Sequence, residues 1–260
     1  MNHTALITGA SSGIGLELAK IHASKGDNLV LVARNSEKLN ELKSELEKNY
    51  SVTVHIIAKD LSNIASSLEV FNEVKDLNIH IDYLINNAGF GDFGMFAESN
   101  WEKQLQMINL NITALTYLTR LFLPEMKEKG SGKILNLASI ASFQPGPTMS
   151  VYFATKAYVL SFSEAIANEL KNTGVTVTAL CPGATQSGFQ SAAALDDSSL
   201  FSNKKLPTAQ EVAEFGYKKM MTGKTVVIHG FMNSLIAFCV RFLPRKLVAK
   251  ATRMMMETKN

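Results

Sequence analysis

The chain has 260 residues, 46% hydrophobic and 19% charged, a balance that predicts a folded globular protein rather than a disordered one. A formal net charge of +3 is too mild to imply nucleic acid, and no apolar run reaches the roughly 18 residues that cross a bilayer. Two cysteines give no disulfide framework and five histidines show no ligand spacing, so we expect a reduced, cytoplasmic setting and no metal.

The N-terminus runs straight into a strand at 4–8, with no basic leader or apolar signal core. A helix over 14–25 buries Ile14, Leu18 and Ile21, and a second strand follows at 28–33. Ser36 is expected to cap a Lys/Glu-rich helix with Leu39, Leu42 and Leu46 inward. Further strands are expected at 52–58, 82–86, 133–137, 175–180 and 225–229, with long helices over 101–129 and 152–172. Short β-branched runs alternating with helices predict a parallel sheet with helices on both faces. No linker, repeat or low-complexity block interrupts the pattern, so 1–260 reads as one domain with an extension at about 231–260.

The first strand leads through Gly9-Ala10-Ser11-Ser12-Gly13-Ile14-Gly15 directly into a helix. Glycines there permit a tight turn and let backbone N–H groups approach a pyrophosphate at the positive helix end. The spacing differs from the commoner G-x-G-x-x-G, but strand, turn and helix are the required context for a dinucleotide. At the end of the second strand an acidic residue would bind the ribose 2′-hydroxyl of NAD. Ala33-Arg34-Asn35 stands there instead, and an arginine fork suits a 2′-phosphate. We therefore expect NADP(H) in preference to NAD(H), with Asn35 and Lys38 as weaker helpers.

Tyr152 and Lys156 fall one helical turn apart on the same side of a helix. A phenol alone is a poor acid or base near neutrality, and a neighbouring ammonium is expected to pull its pKa down. Ser139, in the loop after the strand at 133–137, is placed to offer its hydroxyl to a substrate oxygen. Taken alone, a Tyr-x-x-x-Lys pair is far more often an ordinary surface pair than a catalytic one.

With the glycine loop, Asn86-Asn87-Ala88-Gly89, Ser139, Tyr152, Lys156 and Pro182-Gly183 in order, the chain resembles the short-chain dehydrogenase/reductase family, in its common non-extended branch. The resemblance covers about 4–230 and implies a three-layer Rossmann fold with a doubly wound, seven-stranded parallel sheet. It implies Tyr152 as acid/base, Lys156 lowering its pKa and binding the nicotinamide ribose, and Ser139 holding the carbonyl. Asn111 matches the asparagine whose backbone holds a relay water, with Asn109 as the nearby decoy. Asp60 and Leu61 would lie by the adenine, and Asn87, Ala88 and Gly89 by the adenosine ribose. Pro182 and Gly183 would close over the nicotinamide, with Thr185 or Ser187 near its carboxamide. Ala114 replaces a frequent glycine and Ser187 a usual threonine; neither removes a needed functional group. The implied activity is NADP(H)-dependent hydride transfer between a carbonyl and a secondary alcohol, in the reducing direction. The family also implies a homo-dimer or homo-tetramer. The rival is a non-catalytic NADP(H)-binding redox sensor or scaffold, and the intact Ser139, Tyr152 and Lys156 set argues against it.

Substrate identity is not written in the chain. The segment at about 186–207 is expected to be a selecting lid, small and polar in composition. Phe90, Phe93, Met95, Phe96, Phe143, Met149 and Phe189 suit either an apolar ligand or ordinary packing. In the tail, Arg241, Arg245, Lys246, Lys250 and Arg253 alternate with apolar residues. Such a helix fits an anionic membrane surface, a partner subunit or its own domain beside the substrate mouth; we prefer the last.

Overall fold

The computed structural model describes residues 3–189 and 206–256. Its core is a seven-stranded parallel sheet in the order β3-β2-β1-β4-β5-β6-β7. The strands are β1 (Thr4–Thr8), β2 (Asn28–Ala33), β3 (Val54–Ala58), β4 (Tyr83–Asn86), β5 (Gly132–Leu137), β6 (Val175–Cys181) and β7 (Val226–Ile228). They are mostly apolar because helices cover both faces, and every residue of β1 is buried. The order reverses between β1 and β4, so a crevice opens beyond their carboxyl ends.

One face carries α1 (Gly13–Ser24), α2 (Ser36–Asn49) and α7 (Ala209–Met221), packed through Leu18, Leu39, Leu42 and Val212. The other carries α3 (Ser66–Asp76), α5 (Leu115–Lys129) and α6 (Ser150–Glu169), packed through Val70, Leu118, Phe122 and Ile166. Asn35, rather than Ser36, caps α2: its side-chain oxygen accepts from Lys38 N at 2.9 Å. Ser36 is the first helical residue. Both are good capping types, and the extended backbone of Asn35 decides between them.

The long helix expected over 101–129 is interrupted. α4 (Trp101–Ile108) and α5 are joined by a wider π-helical turn, Asn109–Ala114. The extra residue in that turn carries Asn111 into the interior, where it is 1% exposed. A polar ladder also ties strands to helix: Asn86 Nδ2 donates to Asn136 Oδ1 at 2.9 Å, and Asn136 Nδ2 donates to Ser163 Oγ of α6 at 2.9 Å. Two more helices, α8 (Phe231–Cys239) and α9 (Arg245–Met256), follow β7. No helix among the described residues is long and apolar enough to cross a membrane.

Candidate active site

The crevice has a volume of about 450 Å³ and is walled by the loops after β1 to β6, by the start of α6 and by α9. At one end is the glycine turn, with Gly9 at φ +66° and Gly13 at φ +55°, left-handed conformations that favour glycine. Ser12 is the N-cap of α1 but makes no capping hydrogen bond, and the first turn holds no acidic residue. Ser11, Ser12, Gly13 and Ile14 line the crevice, so this helix end fits an anionic pyrophosphate. Gly15 is not in the lining. It is a packing position: a Cβ there would lie 2.4 Å from both Gly9 O and Asn87 Nδ2.

Arg34, Asn35, Asp60 and Leu61 line the adjoining stretch. Arg34 Nη1 lies 3.9 Å from Asp60 Oδ2, with the arginine side chain 79% exposed. Asp60 also forms its own turn, accepting from Ser62 N at 2.9 Å and Ser62 Oγ at 2.8 Å. Lys59, which the sequence reading missed, lines the crevice beside them, its ammonium 2.6 Å from Glu69.

In the middle, Thr8 Oγ1 accepts from the N–H groups of Asn87 and Ala88 at 3.0 and 2.9 Å. Asn87 Nδ2 returns to Thr8 O at 2.9 Å, which ties the β4 loop to the end of β1. Asn87, Ala88 and Gly89 are all in the lining. Asn111 stands behind it, its side chain consumed by structure. Nδ2 donates to Phe90 O and Thr155 Oγ1, each at 3.0 Å, and Oδ1 accepts from Phe90 N at 3.2 Å.

At the far end, Ser139 caps the 3-10 turn Ile140–Phe143, its Oγ accepting from Ala141 N at 3.1 Å. Ser142 Oγ donates to Lys156 O at 2.7 Å and so docks that turn on α6. The hydroxyl of Ser139 donates to Pro182 O at 3.5 Å and stands near enough to the Tyr152 phenol to favour its ionised form. Lys156 Nζ donates to Leu137 O at 2.7 Å and sits 5.8 Å from the centre of the Tyr152 ring. Enclosure pushes the phenol up to about 12, with the Ser139 hydroxyl opposing. Burial pulls Lys156 down to about 8, the nearby Cys181 acting the other way. The net shift of the phenol is therefore upward, not downward as expected from sequence. The ammonium is directed at the Leu137 carbonyl, and the cost of burying a phenolate dominates.

Pro182, Gly183, Thr185 and Ser187 complete the lining. Thr185 Oγ1 donates to Gly183 O at 3.0 Å. A Cβ built on Gly13 would meet Ser187 Cβ at 3.2 Å, so this segment folds back against the glycine turn. Of the expected apolar residues, Phe90, Met149 and Phe189 line the crevice. Phe93 packs beside them and Phe143 joins a core cluster, whereas Met95 and Phe96 are exposed. Thr252, Met255 and Met256 of α9 add a wall, which is the placement of the tail helix beside the substrate mouth preferred from sequence; the individual residues were not assigned there. Their only signal was the alternation of apolar and basic residues in the tail. Most of the segment expected as a lid, 190–205, lies outside the described residues. Among the described residues no group of His, Cys, Asp or Glu could hold a metal.

A family model described as short chain dehydrogenase matches residues 3–197. An uncharacterized oxidoreductase of Staphylococcus epidermidis is 32% identical over 210 residues, 81% of this chain and 87% of that protein. The ketoacyl reductase HetN of Nostoc sp. is 35% identical over 180 residues, 69% of this chain and 62% of HetN. Among solved structures, a short-chain dehydrogenase from Sphingobium yanoikuyae in complex with NADPH superposes with a TM-score of 0.83 at 33% identity, covering 92% of this chain and 94% of that one.

Proposed function

Because the chain belongs to the short-chain dehydrogenase family, we propose that it reduces carbonyl groups on apolar substrates with NADPH. The observation that carries this reading is the convergence of the Ser139 hydroxyl, the Tyr152 phenol and the Lys156 ammonium at one end of a crevice whose other end is the glycine turn. The bound dinucleotide would supply the hydride. Gly9, Ser11, Ser12, Gly13 and Ile14 would hold its pyrophosphate, and Asn87, Ala88 and Gly89 its adenosine ribose. Arg34, with Asn35 and the neighbouring Lys59, would meet a 2′-phosphate; the NADPH in the Sphingobium relative supports that preference.

Ser139 and Tyr152 would grip the carbonyl oxygen between them, fixing its position before reaction. A phenol pushed up to about 12 stays protonated at neutral pH. It can therefore act as the proton donor to a developing alkoxide. Lys156, still largely protonated below about 8, would stabilise the negative charge left on the tyrosine and return a proton to it. Asn111 would act through its backbone, since its side chain is occupied. Phe90, Met149, Phe189 and the two α9 methionines would exclude water and accept an apolar substituent.

The test is NADPH consumption against aldehydes, diketones, quinones and β-ketoacyl thioesters, with Tyr152→Phe alongside. Turnover on at least one class that Tyr152→Phe abolishes, with NADPH affinity retained, is the expected result. Tight NADPH binding with no turnover on any class would leave the non-catalytic sensor or scaffold in its place. Full turnover by Tyr152→Phe would remove the role given to the phenol. The homo-dimer or homo-tetramer implied by the family is checked by sedimentation equilibrium of the full chain.

A further inference from the structure

The tail from Phe231 to Met256 contains five basic residues and no acidic one. In the fold it makes a corner, α8 and then α9, standing at the crevice. α8 packs beside the Pro182-Gly183 loop: a Cβ on Gly183 would lie 2.5 Å from Asn233 Nδ2. α9 rests on the body by a single stripe, Val248, Thr252 and Met256, spaced one turn apart. The same stripe puts Thr252 and Met256 into the crevice wall, with Met255 next to them.

The rest of the corner faces outward and is amphipathic in an unusual sense, since its exposed side is itself apolar and basic together. Phe231 is 84% exposed, Phe242 72% and Met254 67%. Every residue from Arg241 to Leu247 is exposed, including Phe242, Leu243 and Leu247 among Arg241, Arg245 and Lys246. Phe238 and Phe242 meet edge to face at 5.2 Å and form an outward aromatic pair. Apolar surface of this extent marks an interaction site. Its charge complements an anionic surface, and the basic side chains are long enough to reach head groups while Phe and Leu enter the acyl boundary.

We propose that the α8–α9 corner is a peripheral docking surface for an anionic phospholipid bilayer, and that docking turns the substrate mouth toward the lipid. The second half rests on the reductase reading above. An apolar carbonyl dissolved in the bilayer would then reach Tyr152 past Met255 and Met256 without crossing water.

The test is co-sedimentation of the full chain with vesicles of phosphatidylcholine alone or of phosphatidylcholine with phosphatidylglycerol. Binding to the anionic vesicles, weakened by added salt and much lower on phosphatidylcholine alone, is expected. Each cation near the surface contributes roughly a fivefold change in partition, so combining R241Q, R245Q, K246Q and K250Q is expected to weaken binding on the order of 100-fold or more. F238S with F242S tests the apolar half and is expected to weaken binding to the same vesicles. Equal partition with and without phosphatidylglycerol, or no partition at all, overturns the proposal. So does an oligomer that the variants convert to monomer without any vesicle binding, which would make the corner a contact between copies of the chain. Vesicle binding without NADPH consumption would sink the reductase reading and leave the docking surface standing. If both hold, the charge variant should lose turnover on a bilayer-dissolved ketone while keeping it on a water-soluble one; equal loss on both overturns the delivery route.

Discussion

Asn111→Ala tests how far the shape of the crevice depends on one buried amide. Three hydrogen bonds disappear: from Phe90 N, to Phe90 O and to Thr155 Oγ1. Thr155 Oγ1 still donates to Tyr152 O at 2.7 Å and so adds little to the loss. The N–H and C=O of Phe90 are left without partners in a partly buried loop, at about 1–3 kcal/mol each. Water reaching the half-exposed loop recovers part of this, so we expect a total near 3 kcal/mol. For a domain of this size that corresponds to a fall in Tm of about 6–12 °C. Circular dichroism melts give the stability, and NADPH fluorescence titration shows whether the Phe90 wall has moved. A Tm within about 2 °C of the parent, with unchanged NADPH affinity, would refute the claim that this amide holds the loop.

Three further outcomes follow from the same geometry. Arg34→Ala should weaken NADPH binding about 10–100-fold, the loss of a charge-assisted contact, with little change for NADH; equal effects on the two cofactors would remove Arg34 from 2′-phosphate recognition. Gly15→Ala places a methyl 2.4 Å from the Gly9 carbonyl, and should cost about 1–3 kcal/mol in a urea melt; unchanged stability would mean the turn can give way. The carbonyl-reduction rate should fall as pH rises through about 8, when Lys156 loses its proton. Stability should not follow it from this group. The folded value lies below the ordinary 10.5, so between about 8 and 10.5 the unfolded chain binds the extra proton and the lysine's contribution to stability rises with pH. A rate profile flat to pH 10 would contradict the assignment.

The strands were legible because apolar β-branched runs such as Leu29-Val30-Leu31-Val32, all buried, read as interior strands, and the strand ends fall within two residues of expectation. The π-helical turn was not, because a single added residue barely alters the apolar spacing of 101–129. It answers to a tertiary demand, the Phe90 loop, that lies outside the helix. The glycine turn, Ser139, Tyr152 and Lys156 were readable as types in order. The direction of the phenol's shift was not, since it depends on where Lys156 Nζ points and how closed the crevice is. Lys59, and which residues of the tail helix face the mouth, escaped for a simpler reason: lining a cavity is a property of the assembled fold, and neither stretch carries a motif.

The ladder from Asn86 through Asn136 to Ser163 bears on how such a site can change. Hydrogen bonds are directional where apolar contacts are not, so α6 is locked in phase against β5 and cannot slip along the sheet. The proton donor thus rides on a fixed rail. Phe189 and the tail methionines, which also shape the guest, lie on elements that the rail does not hold, so new guests can be accommodated there while the acid and its ammonium partner keep their spacing.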